Sequence, residues 1–263
     1  MENPRRYGKA PYKTAVLHGG PGAPGSMAPV ARELGLGRGV LEPLQTAMSI
    51  EGQVQELSDL LEEHAEPPVV LIGSSWGAML GFVFAARHRR LVRKLIMVGS
   101  GVFEEKYASQ IMATRMGRLS RAQQRQAAAL QRALSDPEGT DKDSLMAGLG
   151  DLLAEADAFD PVSLATEVIQ CQWDLHNRVW QQAVELRANG GLLALGEKIR
   201  CPVVAIHGDH DPHPAAGVQE PLSALLERFR FVLIERCGHT PCIERQARDR
   251  FYQVLQSELR QDI

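Results

Sequence analysis

Short apolar runs separated by helical patterns restrict the fold of this chain more than any other feature. They read "KTAVLH" (13–18), "PPVVLIG" (67–73), "VRKLIMVGS" (92–100), "CPVVAIHG" (201–208) and "RFVLIE" (230–235), with "GVLEPL" (39–44) as a further one. Nearly unbroken apolar runs of this length mark strands buried on both faces. Between them, "SIEGQVQELSDLLEEH" (49–64) puts Ile50, Val54, Leu57, Leu60 and Leu61 on one helical stripe with acids opposite. "WGAMLGFVFAARH" (76–88) has the small and apolar residues of a buried helix, and "VQEPLSALLERF" (218–229) and "ERQARDRFYQVLQSEL" (244–259) also read as helices. Strands that alternate with helices demand a parallel α/β sheet with right-handed crossovers.

The alternation stops after Gly101 and resumes near residue 196. In between lie helical segments only, such as "SRAQQRQAAALQRAL" (120–134), capped by Ser120, and "SLATEVIQCQWDLHNRVWQQAVELRANGG" (163–191), ended by Gly190 and Gly191. The predicted organisation is an α/β core of residues 1–101 and 196–263 interrupted by an all-helical domain of residues 102–195. A net charge of −3 argues against nucleic acid or an anionic membrane surface as partner. No apolar run approaches the roughly 18–20 residues of a membrane span. The start, "MENPRRYGKAPYK", lacks the apolar stretch of a secretory signal, so the 4 cysteines are expected as reduced thiols in a cytoplasmic protein. Oligomeric state is not readable.

Chemistry begins at "GSSWG" (73–77), a G-x-S-x-G pattern between a buried strand and a buried helix. Only Ser75 has glycine two residues away on both sides. A nucleophile there needs a tight strand-to-helix turn, and side chains at Gly73 or Gly77 would collide with the neighbouring strand and helix. Ser74 is expected to point away. A serine needs a base, and the base an orienting carboxylate. The loop after "VVAIHG" supplies Asp209 and Asp211 in "DHDPHP", and the loop after "RFVLIE" supplies His239 in "RCGHTP". Both follow the carboxyl ends of strands, where ligands collect in open parallel sheets. "HGGPG" (18–22) offers unobstructed backbone N–H groups, and Gly20 together with Trp76, next to the serine, forms the expected oxyanion pair.

These stretches also admit other readings. His207, His210 and His213 in "HGDHDPH" have a spacing that suggests metal ligands, but the segment already doubles as the acid loop. Cys237 and Cys242 flank His239 and read as small buried fillers. Trp173 and Trp180 either line an acyl pocket or pack helix on helix.

With "HGGPG", "GSSWG", "GDHD" and "GHTP" in this order, the chain resembles the α/β-hydrolase superfamily, and "HGGPG" with "SWG" is similar to its proline iminopeptidase branch. The resemblance covers residues 13–101 and 200–260. It implies a mostly parallel sheet with helices on both faces and a helical cap, trimmed here to six or seven strands by the short N-terminus. It assigns Ser75 as nucleophile, Asp211 as acid, His239 as base, and Gly20 and Trp76 as the oxyanion hole. The implied activity is a serine hydrolase cleaving an ester, thioester or amide of a small molecule, with no cofactor and no metal. The alternatives are a proline iminopeptidase-type aminopeptidase and a non-catalytic ligand-binding or sensing protein on the same fold. Two departures bear on the aminopeptidase: Ser74 stands where that branch carries glycine, and its amine-binding acids have no aligned counterpart. Glu104, Glu105 and Asp174 are the acids considered for that role, read as solvated surface charge.

Overall fold

Apolar residues two apart on successive strands divide the interior into two layers. Ala15, Leu17, Leu71, Leu95, Met97, Val203 and Ala205 belong to one buried cluster, while Val16, Ile72, Ile96, Val98, Val204 and Ile206 belong to another. A sheet whose neighbouring residues face opposite sides and are all buried must be covered on both faces. The computed structural model, which describes residues 2–163 and 167–260, has that arrangement.

The first part of the chain forms β1 (Arg5–Tyr7), β2 (Tyr12–Leu17), α1 (Ala28–Gly35), β3 (Gly39–Glu42), α2 (Ile50–His64), β4 (Val69–Ser74), α3 (Trp76–Arg87) and β5 (Val92–Val98). Helices α4 (Glu105–Ala108), α5 (Ile111–Arg118), α6 (Arg121–Ser135), α7 (Lys142–Asp157), α8 (Trp173–Ala188) and α9 (Gly191–Ala194) follow, with no intervening strand among the described residues. The core resumes with β6 (Val203–Gly208), α10 (Ala216–Leu225), β7 (Phe229–Ile234) and α11 (Arg248–Arg260). The seven strands run in the order β1-β3-β2-β4-β5-β6-β7, with β1 antiparallel to β3 and the other pairs parallel. Leu17, Gly73 and Met97 pair side by side on β2, β4 and β5, so their loops leave from one edge of the sheet.

Three local features differ from the sequence reading. The polar start contributes β1, fixed to the sheet edge where Arg5 Nε and Tyr7 Oη each donate to the buried Glu42 carboxylate at 2.8 Å. Helix α1 follows the HGGPG loop and carries Pro29 at its second position, where a missing N–H costs nothing. The helix expected over 163–191 begins only at Trp173. Upstream of it, Ile169 N donates to Pro24 O and Gln172 N to Gly22 O, so this backbone bonds to the loop after β2 instead of to itself. Residues 164–166 of that expectation lie outside the described residues. Ser120 caps α6 as expected, within a capping box completed by Gln123.

Candidate active site

Between β4 and α3 the backbone turns at one residue, Ser75, which sits at φ 53° and ψ −114°. Positive φ is costly for a residue with a Cβ, and the surrounding bonds enforce it. Ser75 N–H donates to Val98 O at 2.9 Å, and its carbonyl accepts from Ala78 and Met79 at the start of α3. The glycine requirement is met: a Cβ on Gly73 would lie 2.1 Å from Gly77 O, and one on Gly77 would lie 2.3 Å from Leu17 O. Ser74, the last residue of β4, lines the same cavity as Ser75.

Asp211 and His239 meet above the ends of β6 and β7. His239 Nδ1 donates to Asp211 Oδ2 at 2.7 Å, which fixes the tautomer and leaves Nε2 as the acceptor nitrogen. The other acid considered, Asp209, instead accepts from Cys237 N–H and shapes the histidine loop. Burial alone would raise the pKa of Asp211, but His239 and His213 outweigh it and hold the carboxyl well below the ordinary range. Burial likewise pushes His239 down, but the adjacent Asp211 charge and hydrogen bond prevail and raise it above 6.5. His239 and Ser75 face one cavity and are not hydrogen-bonded to each other. Such contacts commonly tighten only when substrate is bound.

The HGGPG loop is held from several directions. His18 is buried, accepts from Gln45 N–H through Nε2 and donates through Nδ1 to Gly19 O. Its pKa falls to about 4 on burial, so it stays neutral. Gly19 N–H is spent on Ser26 Oγ at 3.1 Å. From α8, His176 Nδ1 donates to Pro21 O at 2.9 Å. The N–H groups of Gly20 and Trp76, the expected oxyanion donors, have no partner among the described residues. Gly20 adopts φ 115°, and a Cβ there would press to 2.8 Å on the N atoms of Gly22 and Ala23. The Trp76 indole is buried and donates to Gln53 at 2.9 Å.

Ser75 opens into a cavity of about 530 Å³ between the sheet edge and α7. Met27, Val30, Val98, Met146 and Phe251 make its wall chiefly apolar, and Asp151 is the carboxylate on its lining. The cap acids considered from sequence lie elsewhere: Glu104 pairs with Lys106, Glu105 with Arg187, and Asp174 faces a separate depression beside Asp141 and Asp143. Trp173 and Trp180 stack on either side of His176, so packing rather than pocket lining accounts for them. Cys237 is buried with its thiol pushed up, and burial raises Cys242 to about 11, so neither is a ready thiolate.

The three histidines of HGDHDPH serve different partners. His207 Nε2 donates to His213 O, His210 packs edge-on against Phe159, and His213 binds Asp211. Ligand atoms of Asp211, His213 and His239 do lie within 4.8 Å of one another, and both imidazoles already direct Nδ1 at the carboxylate.

Two buried carboxylates that the sequence did not reveal lock the histidine loop. Glu244 accepts from Gly238, Phe159 and Asp160 N–H groups at 2.9, 2.8 and 2.7 Å. Asp157 takes a bidentate bond from Arg115 of α5, and its carbonyl accepts from His239 N–H. One histidine is thereby tied to both the core and the helical segment. In sequence these acids look like any solvated charge.

A model of the alpha/beta hydrolase family matches residues 16–254. No curated protein matches the chain. Among solved structures, VinJ superposes with a TM-score of 0.68 at 18% identity, covering 97% of this chain and 93% of its own. A putative lipase from Acinetobacter baumannii AYE gives 0.63 at 17%, covering 97% and 88%. The proline iminopeptidase of Mycobacterium smegmatis gives 0.63 at 17%, covering 97% and 93%. At these identities the likeness is one of fold. Among the described residues, no helix is long and apolar enough to cross a membrane.

Proposed function

The chain belongs to the alpha/beta hydrolase family, and from that membership we propose that it is a serine hydrolase acting on a small carboxylic ester, thioester or amide. The observation that carries this reading is that His239, held at 2.7 Å by the buried Asp211, faces the cavity into which the strained Ser75 turn opens. His239 Nε2 takes the Ser75 proton as Oγ attacks the substrate carbonyl, and Asp211 stabilises the imidazolium that forms. The free N–H groups of Gly20 and Trp76 receive the developing oxyanion. His239 returns the proton to the leaving group, then activates the water that releases the acyl group from Ser75.

The apolar wall favours a hydrophobic acyl group over a charged one. The helices between β5 and β6 act as its cap in this reading. The free thiols fit a cytoplasmic location. Nitrophenyl esters, thioesters and arylamides of graded acyl length, run against wild type and Ser75→Ala, test the proposal. Turnover is expected in wild type and absent in the variant. Labelling without turnover would favour the non-catalytic, ligand-holding alternative.

A second reading, an N-terminal proline aminopeptidase, draws on the Asp151 carboxylate at the cavity wall, where a free amine could be held. Comparing a proline arylamide with its N-acetylated form decides it. Equal rates on the two would exclude an exopeptidase.

A further inference from the structure

Three imidazoles crowd the Asp211 carboxylate at the end of β6, His213 and His239 by hydrogen bonds and His207 with Nε2 3.5 Å from Oδ2, and the mechanism above uses only His239. Asp211 is fully buried at its side chain, and its two oxygens are held differently. Oδ2 accepts from His239 Nδ1 at 2.7 Å. Oδ1 accepts twice from a single residue, from His213 N–H at 2.9 Å and from His213 Nδ1 at 2.8 Å, closing a turn across Pro212. The His213 ring also lies over the His239 ring, with centroids 4.6 Å apart and planes 27° from parallel. His213 is anchored in its turn, because its carbonyl accepts from Nε2 of the fully buried His207 at 2.8 Å.

We propose that His213 is a positioning residue: its Nδ1–H and its stacked ring hold the Asp211 carboxylate so that Oδ2 stays on His239. The proposal rests on the serine-hydrolase reading. The torsion that swings a carboxylate about its Cβ–Cγ bond has a broad, shallow profile. One donor on Oδ2 therefore does not fix both oxygens; Oδ1 is held by the His213 N–H within the turn and by Nδ1–H from a second direction, and the imidazole supplies that second hold. A donor that gained a proton would place a second cation against His239. The surroundings prevent this: burial first, then the neighbouring His239 charge, lower His213 to about 4 despite Asp211, so it donates while remaining neutral. The other charged groups near this cluster, Arg115, Asp157 and Arg118, come from the helical segment and are engaged there.

The test compares His213→Leu and His213→Ala, which remove the Nδ1 donor and keep the backbone N–H, with His213→Asn, which replaces the imidazole by a side-chain amide donor. With p-nitrophenyl butyrate as substrate, the two apolar variants are expected to lose about tenfold or more in kcat while KM stays within about twofold. The downfield proton resonance of the His239 Nδ1–H is expected to disappear with it. His213→Asn is expected to recover most of both. Using alanine beside leucine keeps the comparison available if the bulkier variant does not fold. Apolar variants with wild-type kcat and an intact downfield proton would overturn the proposal. So would leucine, alanine and asparagine variants that fall together in step with their melting temperatures. If wild type neither turns over the ester nor reacts at Ser75, the failure belongs to the serine-hydrolase reading. An active wild type alongside a fully active His213→Ala overturns the positioning role alone.

Discussion

At the residue scale, one hydroxyl out of two adjacent ones is the proposed nucleophile. Ser75 occupies the φ 53° position that the glycines on both sides make room for, whereas Ser74 completes β4. Ser75→Ala is expected to reduce turnover by about four orders of magnitude or more, while Ser74→Gly keeps the backbone path and is expected to remain active. Steady-state rates on one ester check both, and reversed effects would put the nucleophile on the wrong serine. The pH dependence follows from His239. The base must be unprotonated to accept the serine proton, and Asp211 raises its pKa above 6.5. Activity is therefore expected to climb with pH through a midpoint above 6.5 in a kcat/KM profile. His213, neutral above about 4, adds no inflection in that range. A midpoint well below 6.5 would contradict the electrostatics of the pair.

At the scale of elements, the histidine loop is only as firm as the bonds that join it to the helices between β5 and β6. Glu244 binds three backbone N–H groups from two segments, and an amide in its place turns an acceptor into a donor. Glu244→Gln is expected to cost about 2 kcal/mol, a fall of about 5 °C in melting temperature, together with a loss of kcat as the His239 loop slackens. Calorimetry and kinetics on the same variant check the two halves. This part of the molecule was least legible in the sequence. The strands of the core were readable because burial on both faces leaves unbroken apolar runs, and Ser75, Asp211 and His239 were readable because each sits just past such a run. The helix over 163–191 was read too long because periodicity does not reveal that Ile169 and Gln172 spend their N–H groups on the loop at Gly22 and Pro24. Glu244 and Asp157 are not legible because a buried, bonded acid reads in sequence like a solvated one, and His213 is legible only as a spacing that suggests metal ligation, not as a partner of Asp211. Strand β1 was missed because it is three residues long and held by Arg5 and Tyr7 on Glu42 rather than by an apolar pattern.

At the scale of the whole molecule, a buried ion pair and the cavity wall lend themselves to different measurements. Lys94 on β5 and Glu258 on α11 form a buried pair at 3.1 Å, with Lys94 Nζ also donating to Glu258 O. Lys94→Met strands part of a buried carboxylate and is expected to cost about 3 kcal/mol by denaturant unfolding, with KM unchanged. The cavity behaves oppositely. Gly150 lies on its α7 wall, and a Cβ there meets nothing within 4 Å, so Gly150→Leu is expected to fold and to fill space. It is expected to lower kcat/KM about tenfold for octanoyl relative to acetyl esters, read from a nitrophenyl ester series. In the proposed mechanism the Ser75 turn, the Asp211–His239 pair and the Gly20 loop act together as one nucleophilic centre. Its most direct test is reaction of the folded protein with a fluorophosphonate, followed by peptide mass mapping. Stoichiometric labelling is expected on Ser75, abolished in Ser75→Ala and slowed in His239→Ala. Folded protein that stays unlabelled, or that carries the label on Ser74 or elsewhere, would contradict it.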